Sequence, residues 1–313
     1  MAQTLDLKQS PAVAKSELFP ELSHIHLDVV GGIAGDMFIA CMCDTFPVLE
    51  AKVQSAIKQV LPAQIGEGKF WAETNAGIGV KRFKLTEPAN LQASQSQNQL
   101  QKIKLLKPIK SMSIELKQSA GEIKPSVSAI ISKDADLSHS HQHTTYKALK
   151  NRIDSSTLAE PIKQIAASIL KRLAIAESKI HQLSLDEVHF HELADWDSLM
   201  DVVGAATIIS ELKEVSWSVS KLPYGGGVIQ SAHGLIPVPA PATAEILVGF
   251  SFFSDGILGE RITPTGAAIL AELIDPHAQP ACAAGRMLKT GYGGGQKRFA
   301  GCPNILRAVA FKK

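Results

Sequence analysis

"HIHLDVVGGIAGDMFIACMC" (24–43) changes period halfway along, and that change sets the fold class. Ile25, Leu27 and Val29 alternate with His24, His26 and Asp28, the two-residue period of a strand with one buried face. "GGIAG" (31–35) breaks the pattern. From Asp36 to Leu61 the apolar residues then recur at helical spacing, with an interruption near Pro47. Strand, glycine turn and helix in succession point to an α/β protein, a mixed sheet with flanking helices, with α+β as the alternative.

Working outward, "KFWAETNAGIGVKRFKLTEP" (69–88) reads as a hairpin turning between Asn75 and Gly79. Residues 145–176 turn helical, with Ser155 and Ser156 placed as a capping signal for a fresh helix and Pro161 in its first turn. A helix is expected from about Ser198 to Leu212. "WSVSKLPYGGG" (217–227) reads as a strand and a glycine turn. "GLIPVPAPAT" (234–243) must be extended before a short helix from Ala242. "ITPTGAAILAEL" (262–273) opens a helix, with Thr263 and Thr265 read as caps and Glu260 just before it. The ending reads as a glycine-rich loop, "LKTGYGGGQKRFAGC", followed by a strand from Ile305 to Phe311.

The expected organisation is a loose polar start (1–23), an N-terminal α/β segment (24–87), a polar linker with a His-rich loop (88–143) and a main α/β domain (144–313). The linker holds a Gln/Ser/Asn-rich stretch at 89–101. Between 102 and 124 six lysines stand against two glutamates, a local +4 that reads as a solvated face or an anion patch.

The 313 residues carry a net charge of +2, which gives no general pull toward nucleic acid or membrane, and aromatic residues are only 5%, too few for base-stacking platforms. No apolar run is long enough to span a bilayer, and the N-terminus lacks a signal-peptide core. Cys41, Cys43, Cys282 and Cys302 are few and scattered, so a reduced, cytoplasmic setting is expected, with Cys41 and Cys43 in the core.

The chemistry concentrates in "EVHFHELADWDSLMDVVG" (187–204). In an extended segment His189 and His191 share a face with Glu187. Asp197 and Asp201, four apart, stack on the helix that follows, with Asp197 placed as its N-cap. Imidazoles and carboxylates aimed at one point suit nickel, zinc, manganese or iron; a polar turn is the plain alternative. His139, His141 and His143 form a second alternating cluster, either a weak metal-capture loop or a solvated one. The turn 31–35 can set a phosphate on a helix N-terminus but has no P-loop Gly-Lys-Ser/Thr. Asp36 would repel that phosphate unless a cation, held with Asp28, lay between them; otherwise Asp36 is a favourable first-turn charge.

"HLDVVGGIAGDMFIA", "VHFHELADWDSLMDVVGAA", "LPYGGGVIQSAHGLIPVPAPATAEILVG", "ITPTGAAIL" and "GYGGG…PNILRAV" together resemble, in order, the LarC-type nickel-insertion proteins, from about His24 to Val309. The resemblance implies a nickel chelatase, a lyase-type cyclometallase. It inserts Ni2+ into a pyridinium-bisthiocarboxylate mononucleotide to make the nickel-pincer nucleotide cofactor, using CTP with a divalent metal such as Mg2+ or Mn2+. His189, His191, Glu192, Asp197, Asp201, Asp28, Asp36, His139, His141 and His143 become the candidate metal set. Glu192 and His191 become candidate catalytic proton acceptors. Gly31, Gly32, Gly35, Gly225, Gly226 and Gly293 become candidate phosphate cradles. The chain departs from the family pattern at Gly31 and Ala34, where serines are usual, at Thr144 after the His cluster, and at Ala194–Trp196. Family members generally continue past "PNILR" into a further domain associated with CTP, so the expectation is either that a separate partner chain supplies it or that the reaction has been lost. A homo-oligomer is left open. Two alternatives remain: a non-catalytic nickel-binding or delivery protein, and a phosphate- or nucleotide-binding regulator.

Overall fold

The computed structural model describes residues 19–86, 145–190, 195–231, 233–277 and 285–313. The expected linker and its His-rich loop lie outside these residues. The architecture is α/β: a six-stranded mixed sheet with helices. The first strand, β1 (His24–Asp28), leads through the glycine turn into α1 (Gly35–Thr45). Pro47 separates α1 from α2 (Val48–Val60) as the pattern requires. The hairpin β2 (Glu67–Asn75) and β3 (Ile78–Thr86) turns at Ala76 and Gly77, both at positive φ, the left-handed geometry of a two-residue turn.

Helices α3 (Tyr146–Asp154), α4 (Glu160–His181) and α5 (Asp195–Glu211) follow. The capping expectation for α4 is corrected. Ala159 is its N-cap, and the Ser156 hydroxyl turns back to the Ile153 carbonyl at 2.6 Å. Pro161 does sit in the first turn. Helix α5 starts at Asp195, so Asp197 lies in its first turn and is not its N-cap.

Beyond α5 come β4 (Ser216–Val219), β5 (Leu222–Pro223), the small hairpin β6 (Val228–Ser231) and β7 (Gly234–Pro237), α6 (Pro241–Ile246), β8 (Phe252–Phe253), α7 (Pro264–Leu273), β9 (Arg286–Gly294) and β10 (Ile305–Lys312). The main sheet runs β2-β3-β9-β10-β1-β4. Strand β10 is antiparallel to β1 and β9, while β4 is parallel to β1.

Strand β1 therefore lies inside the sheet, between β10 and the edge strand β4. Its Ile25 and Leu27 are fully buried, in one core with Phe38 and Met42 of α1, Leu49 and Ile57 of α2, Leu199 and Val203 of α5, and Ala308 and Ala310 of β10. Each large aliphatic side chain buried this way contributes about 1.5–3 kcal/mol. Among the described residues no helix is long and apolar enough to cross a membrane.

The "LKTGYGGG" stretch is not the expected loop; it is strand β9. The reason is steric. A Cβ on Gly293 would lie 2.1 Å from the Met37 carbonyl oxygen and 2.8 Å from the Cys41 amide nitrogen. Glycine is required because the backbone of α1 lies directly on the sheet there. Cys41 and Cys43 are core residues as expected. Burial pushes the Cys41 thiol up and takes Cys43 to about 12, so both are inert.

Replacing Gly293 by Ala should force α1 off the sheet and cost about 1–3 kcal/mol or more. Gly79→Ala, where a Cβ meets nothing within 4 Å, should change stability by no more than about 0.5 kcal/mol. Urea unfolding of the two variants measures the contrast, and equal costs would contradict the packing account.

Candidate functional site

Three helix starts meet at one cavity of about 710 Å3. Helix α1 brings Asp36 and Met37, α5 brings Asp197, Ser198, Met200 and Asp201, and α7 brings Thr263, Pro264 and Thr265. The remaining wall comes from Lys84 of β3, Ile229, Gln230 and Ser231 of the small hairpin, Glu260 and Arg261, and the turn after β9 with Gln296 and Lys297. Helix N-termini present positive dipole ends and unpaired amides, so carboxylates there are favourable partners.

Asp36 accepts from its neighbour's amide, Met37, at 2.7 Å and from the Gln296 side-chain amide at 3.5 Å. Asp201 packs over the Cα of Gly35, where a Cβ would stand 2.4 Å from its Oδ2. It accepts from the Asp36 amide and the Thr265 hydroxyl. Thr265 in turn accepts from the Gly35 amide at 3.3 Å and shares a hydrogen with Thr263 at 3.1 Å. Thr263 also caps α7 by accepting from Gly266 at 3.2 Å, the capping role expected.

Burial holds the Asp201 carboxyl well above the usual carboxylate range, and the charges of Asp36 and Asp197 push it further. Burial likewise raises Asp36, against the hydrogen bonds from Met37 and Gln296 and the charge of Arg82, with Asp197 pushing up.

The structure thus brings Asp36, Asp197 and Asp201 to one wall. Among the described residues no three His, Cys, Asp or Glu side chains close on a common point tightly enough to hold a metal ion. His189 does not line this cavity. It is half-buried, and its backbone bridges to Thr145, the N-cap of α3. Glu187 does not join it on a common face; it closes a capping box with Ser184 at 2.6 Å in a short 3-10 turn. His191, Glu192, His139, His141 and His143 lie outside the described residues.

Asp28 is elsewhere, in a polar ladder on the other face of β1. Its carboxylate meets His26 at 3.3 Å and Arg307 at 2.7 Å. His26 meets the Ser218 hydroxyl at 2.7 Å, and buried His24 lies between Ser216 and Ser218. The hydrogen bond from His26 lowers the Asp28 carboxyl, and burial holds His24 down at about 4, hence neutral near pH 7.

The glycines named as phosphate cradles are packed. A Cβ would strike Ile305 N from Gly31, Arg261 O from Gly32, Asp201 from Gly35, Gly259 O from Gly225 and Met37 O from Gly293. At Gly226 the nearest atom is a Leu258 methyl at 3.3 Å, and φ is +153°.

Arg261 was not legible in the sequence. Its side chain is fully buried. It donates to Gly31 O at 2.7 Å, Val30 O at 2.5 Å and the Asp255 carboxylate at 2.9 Å, and it stacks on Phe299 at 5.0 Å. It staples the turn that carries Asp36. Its one local signal is its place beside Glu260, which holds Lys297 at 2.6 Å on the cavity wall.

The family model described as "Nickel insertion protein" matches residues 25–313, and the chain belongs to that family. Curated relatives provisionally named as nickel insertion proteins include one from Citrifermentans bemidjiense, 44% identical over 56% of this chain and 44% of its own length. Another, from Dictyoglomus thermophilum, is 42% identical over 64% of this chain and 50% of its own length. One from Akkermansia muciniphila is named as a pyridinium-3,5-bisthiocarboxylic acid mononucleotide nickel insertion protein; it is 40% identical over 55% of this chain and 42% of its own length. The matched stretch spans about half the length of these relatives or less. No solved structure matches.

Because the folded chain holds a proton on Asp201 that the unfolded chain releases, stability falls as pH rises from the ordinary carboxylate range through the raised value, and the loss is complete above it. Asp201→Asn keeps the acceptor oxygen and removes this titration. It should melt above wild type near pH 8, by about 2–4 °C for each kcal/mol relieved. The gap should close toward pH 4. Calorimetry across that range checks it; a pH-independent gap would contradict the raised value.

Proposed function

We propose that this chain is the part of a nickel chelatase that inserts Ni2+ into a pyridinium-bisthiocarboxylate mononucleotide, forming the nickel-pincer nucleotide. The observation that carries the reading is the cavity of about 710 Å3 with Asp36, Asp197 and Asp201 on one wall, set at the start of the helix that directly follows "HFHE". A cavity of this size suits a mononucleotide.

Nickel is a substrate here. His189, His191 and Glu192 are the side chains proposed to hand it over, and neutral imidazole with carboxylate is a suitable donor set for it. Making the carbon–nickel bond breaks a ring C–H bond. The proton leaves to a base, for which His191 and Glu192, which precede α5 in the sequence, are the proposed candidates. The electron pair of the C–H bond becomes the carbon–nickel bond, so no oxidant is required. Asp197 and Asp201 stand one turn apart on the cavity side of α5 and Asp36 faces them, so all three bear on the bound substrate. The cluster His139, His141 and His143 is proposed as a secondary metal contact, for capture rather than chemistry, whereas Asp28 is taken up by His26 and Arg307.

The resemblance adds CTP with Mg2+ or Mn2+. The described residues provide no three-ligand set for such an ion, and the reading places that step on a separate domain or partner chain. A cytoplasmic setting accords with the free Cys41, Cys43 and Cys302 among the described residues.

The double variant His189→Ala/His191→Ala should keep its circular dichroism spectrum and lose nickel affinity by about tenfold or more. Calorimetric titration with nickel, with and without CTP and magnesium, makes the measurement. Undiminished affinity in the variant would sink the assignment. Wild-type binding indifferent to nucleotide would favour a delivery protein.

A further inference from the structure

Two imidazoles meet outside the carboxylate wall. His181 is the last residue of α4, and His233 stands in the turn that joins β6 to β7. Their ring centroids lie 4.8 Å apart, with the planes tilted by 41°. A local structure presents each of them. Glu177, one turn earlier on α4, sets a carboxylate oxygen 3.2 Å from His181 Nε2, and its side chain is only 9% exposed. In the hairpin turn the His233 amide donates to the Ser231 hydroxyl at 3.0 Å, and that hydroxyl donates to the Gly234 carbonyl at 3.0 Å. The base of the hairpin is tied to the same helix, because Glu245 of α6, which follows β7, meets Lys179 of α4 at 2.6 Å.

This is the arrangement a metal-ligating histidine needs. Such an imidazole ordinarily gives its other ring N–H to a carboxylate, which fixes the tautomer and raises the basicity of the ligating nitrogen. Glu177 accepts from His181 Nε2, which puts the ring's lone pair on Nδ1. A pair of imidazoles suits nickel, cobalt or zinc, whereas magnesium and calcium prefer oxygen. The pair also lies at the C-terminal end of a 22-residue helix, whose last carbonyls carry partial negative charge and favour a cation. No three described side chains close on one point, and none has to here. Glu177 acts through His181, and two imidazoles leave the remaining coordination positions to water.

We propose that His181 and His233 bind a divalent transition ion as a loading site for nickel, with Glu177 as the positioning residue. This rests on the nickel-insertion reading for its cargo and adds where the ion enters. A cargo site must release its ion, and two protein ligands hold one less tightly than a closed set of four. His233 is exposed, so hydrated metal reaches it from solvent. The hairpin that carries it also supplies Ile229, Gln230 and Ser231 to the cavity wall. An ion bridging His233 to the end of α4 therefore steadies that wall as it loads.

The test titrates nickel chloride calorimetrically into the full chain without nucleotide. His233→Ala should weaken nickel binding by about tenfold or more, and Glu177→Ala by about tenfold. Glu177→Gln, which still accepts from Nε2, should restore most of that loss. A large excess of magnesium should not compete. In the wild type, nickel should slow amide hydrogen exchange in β6 and β7, a readout that needs no variant to fold. Undiminished nickel affinity in His233→Ala, nickel bound with no slowing in the hairpin, or a wild type that takes up no nickel overturns the proposal. The His189→Ala/His191→Ala variant separates the two readings. Affinity lost there but kept in His233→Ala defeats this inference alone. Affinity kept there but lost in His233→Ala defeats the assignment of His189 and His191 and leaves this site standing.

Discussion

The structure is organised around a carboxylate buried where three helices begin. Asp201 of α5 lies against the Cα of Gly35, accepts from the Asp36 amide, and is held by Thr265 at the start of α7. These contacts come from α1 and α7, so the position of one oxygen pair on α5 fixes the relative placement of α1, α5 and α7. The helix N-termini make such burial tolerable. Their positive ends and free amides offset part of the cost of keeping a charge from water. Gly35 is small because that carboxyl occupies the space its side chain would need.

The sheet answers the same constraint from below. To bring the start of α1 to Asp201, the body of α1 must lie close on β9, and the glycines of β9 permit it. Arg261 fixes the other end by holding the carbonyls of Val30 and Gly31 in the turn between β1 and α1. The opposite face of β1 is occupied by a different polar system, the run from Ser216 through His24, Ser218, His26 and Asp28 to Arg307, which is satisfied within itself. Buried polar groups that find partners in this way specify strand register as well as stability. The two polar systems lie on either side of the same strand, and the one at the helix starts opens to the cavity.

Much of this was legible in the sequence wherever the signal is local. The alternation of His24 to Val29, the break at Pro47, the turn at Ala76 and Gly77 and the Thr263 cap all appear as read. The failures come where a residue answers to a partner far along the chain. The glycines of β9 look like a loop because nothing local says that α1 will lie on them. Ser155 and Ser156 look like caps because the pattern does not reveal which carbonyl the Ser156 hydroxyl will choose. In the site, Asp197 and Asp201 were legible as a stacked pair, but the packing of Asp201 on Gly35 and the reach of Arg261 to Gly31 join segments far apart in sequence. Lys84 and Ser198 carry no motif at all; a lone lysine on a strand and a serine among core residues become informative only once a cavity is seen between them.

A chain selected for stability alone would place an uncharged residue of similar size at Asp201, because an acid there is held against both its own desolvation and two neighbouring carboxylates. Local rules of folding agree nearly everywhere else in the described core, so the conflict is confined to one place, and that place is open to a cavity. Conflicts of this kind persist where a site needs preorganised charge more than the fold needs the stability. The acids are already fixed on rigid helices rather than on loops, Asp36 and Asp197 in first turns and Asp201 one turn further along α5, so little ordering remains to oppose binding. Placing these acids on helices that begin at the cavity therefore serves two ends at once. The helix ends make the burial tolerable, and the rigid backbone keeps the acids from moving toward one another's partners or out to water.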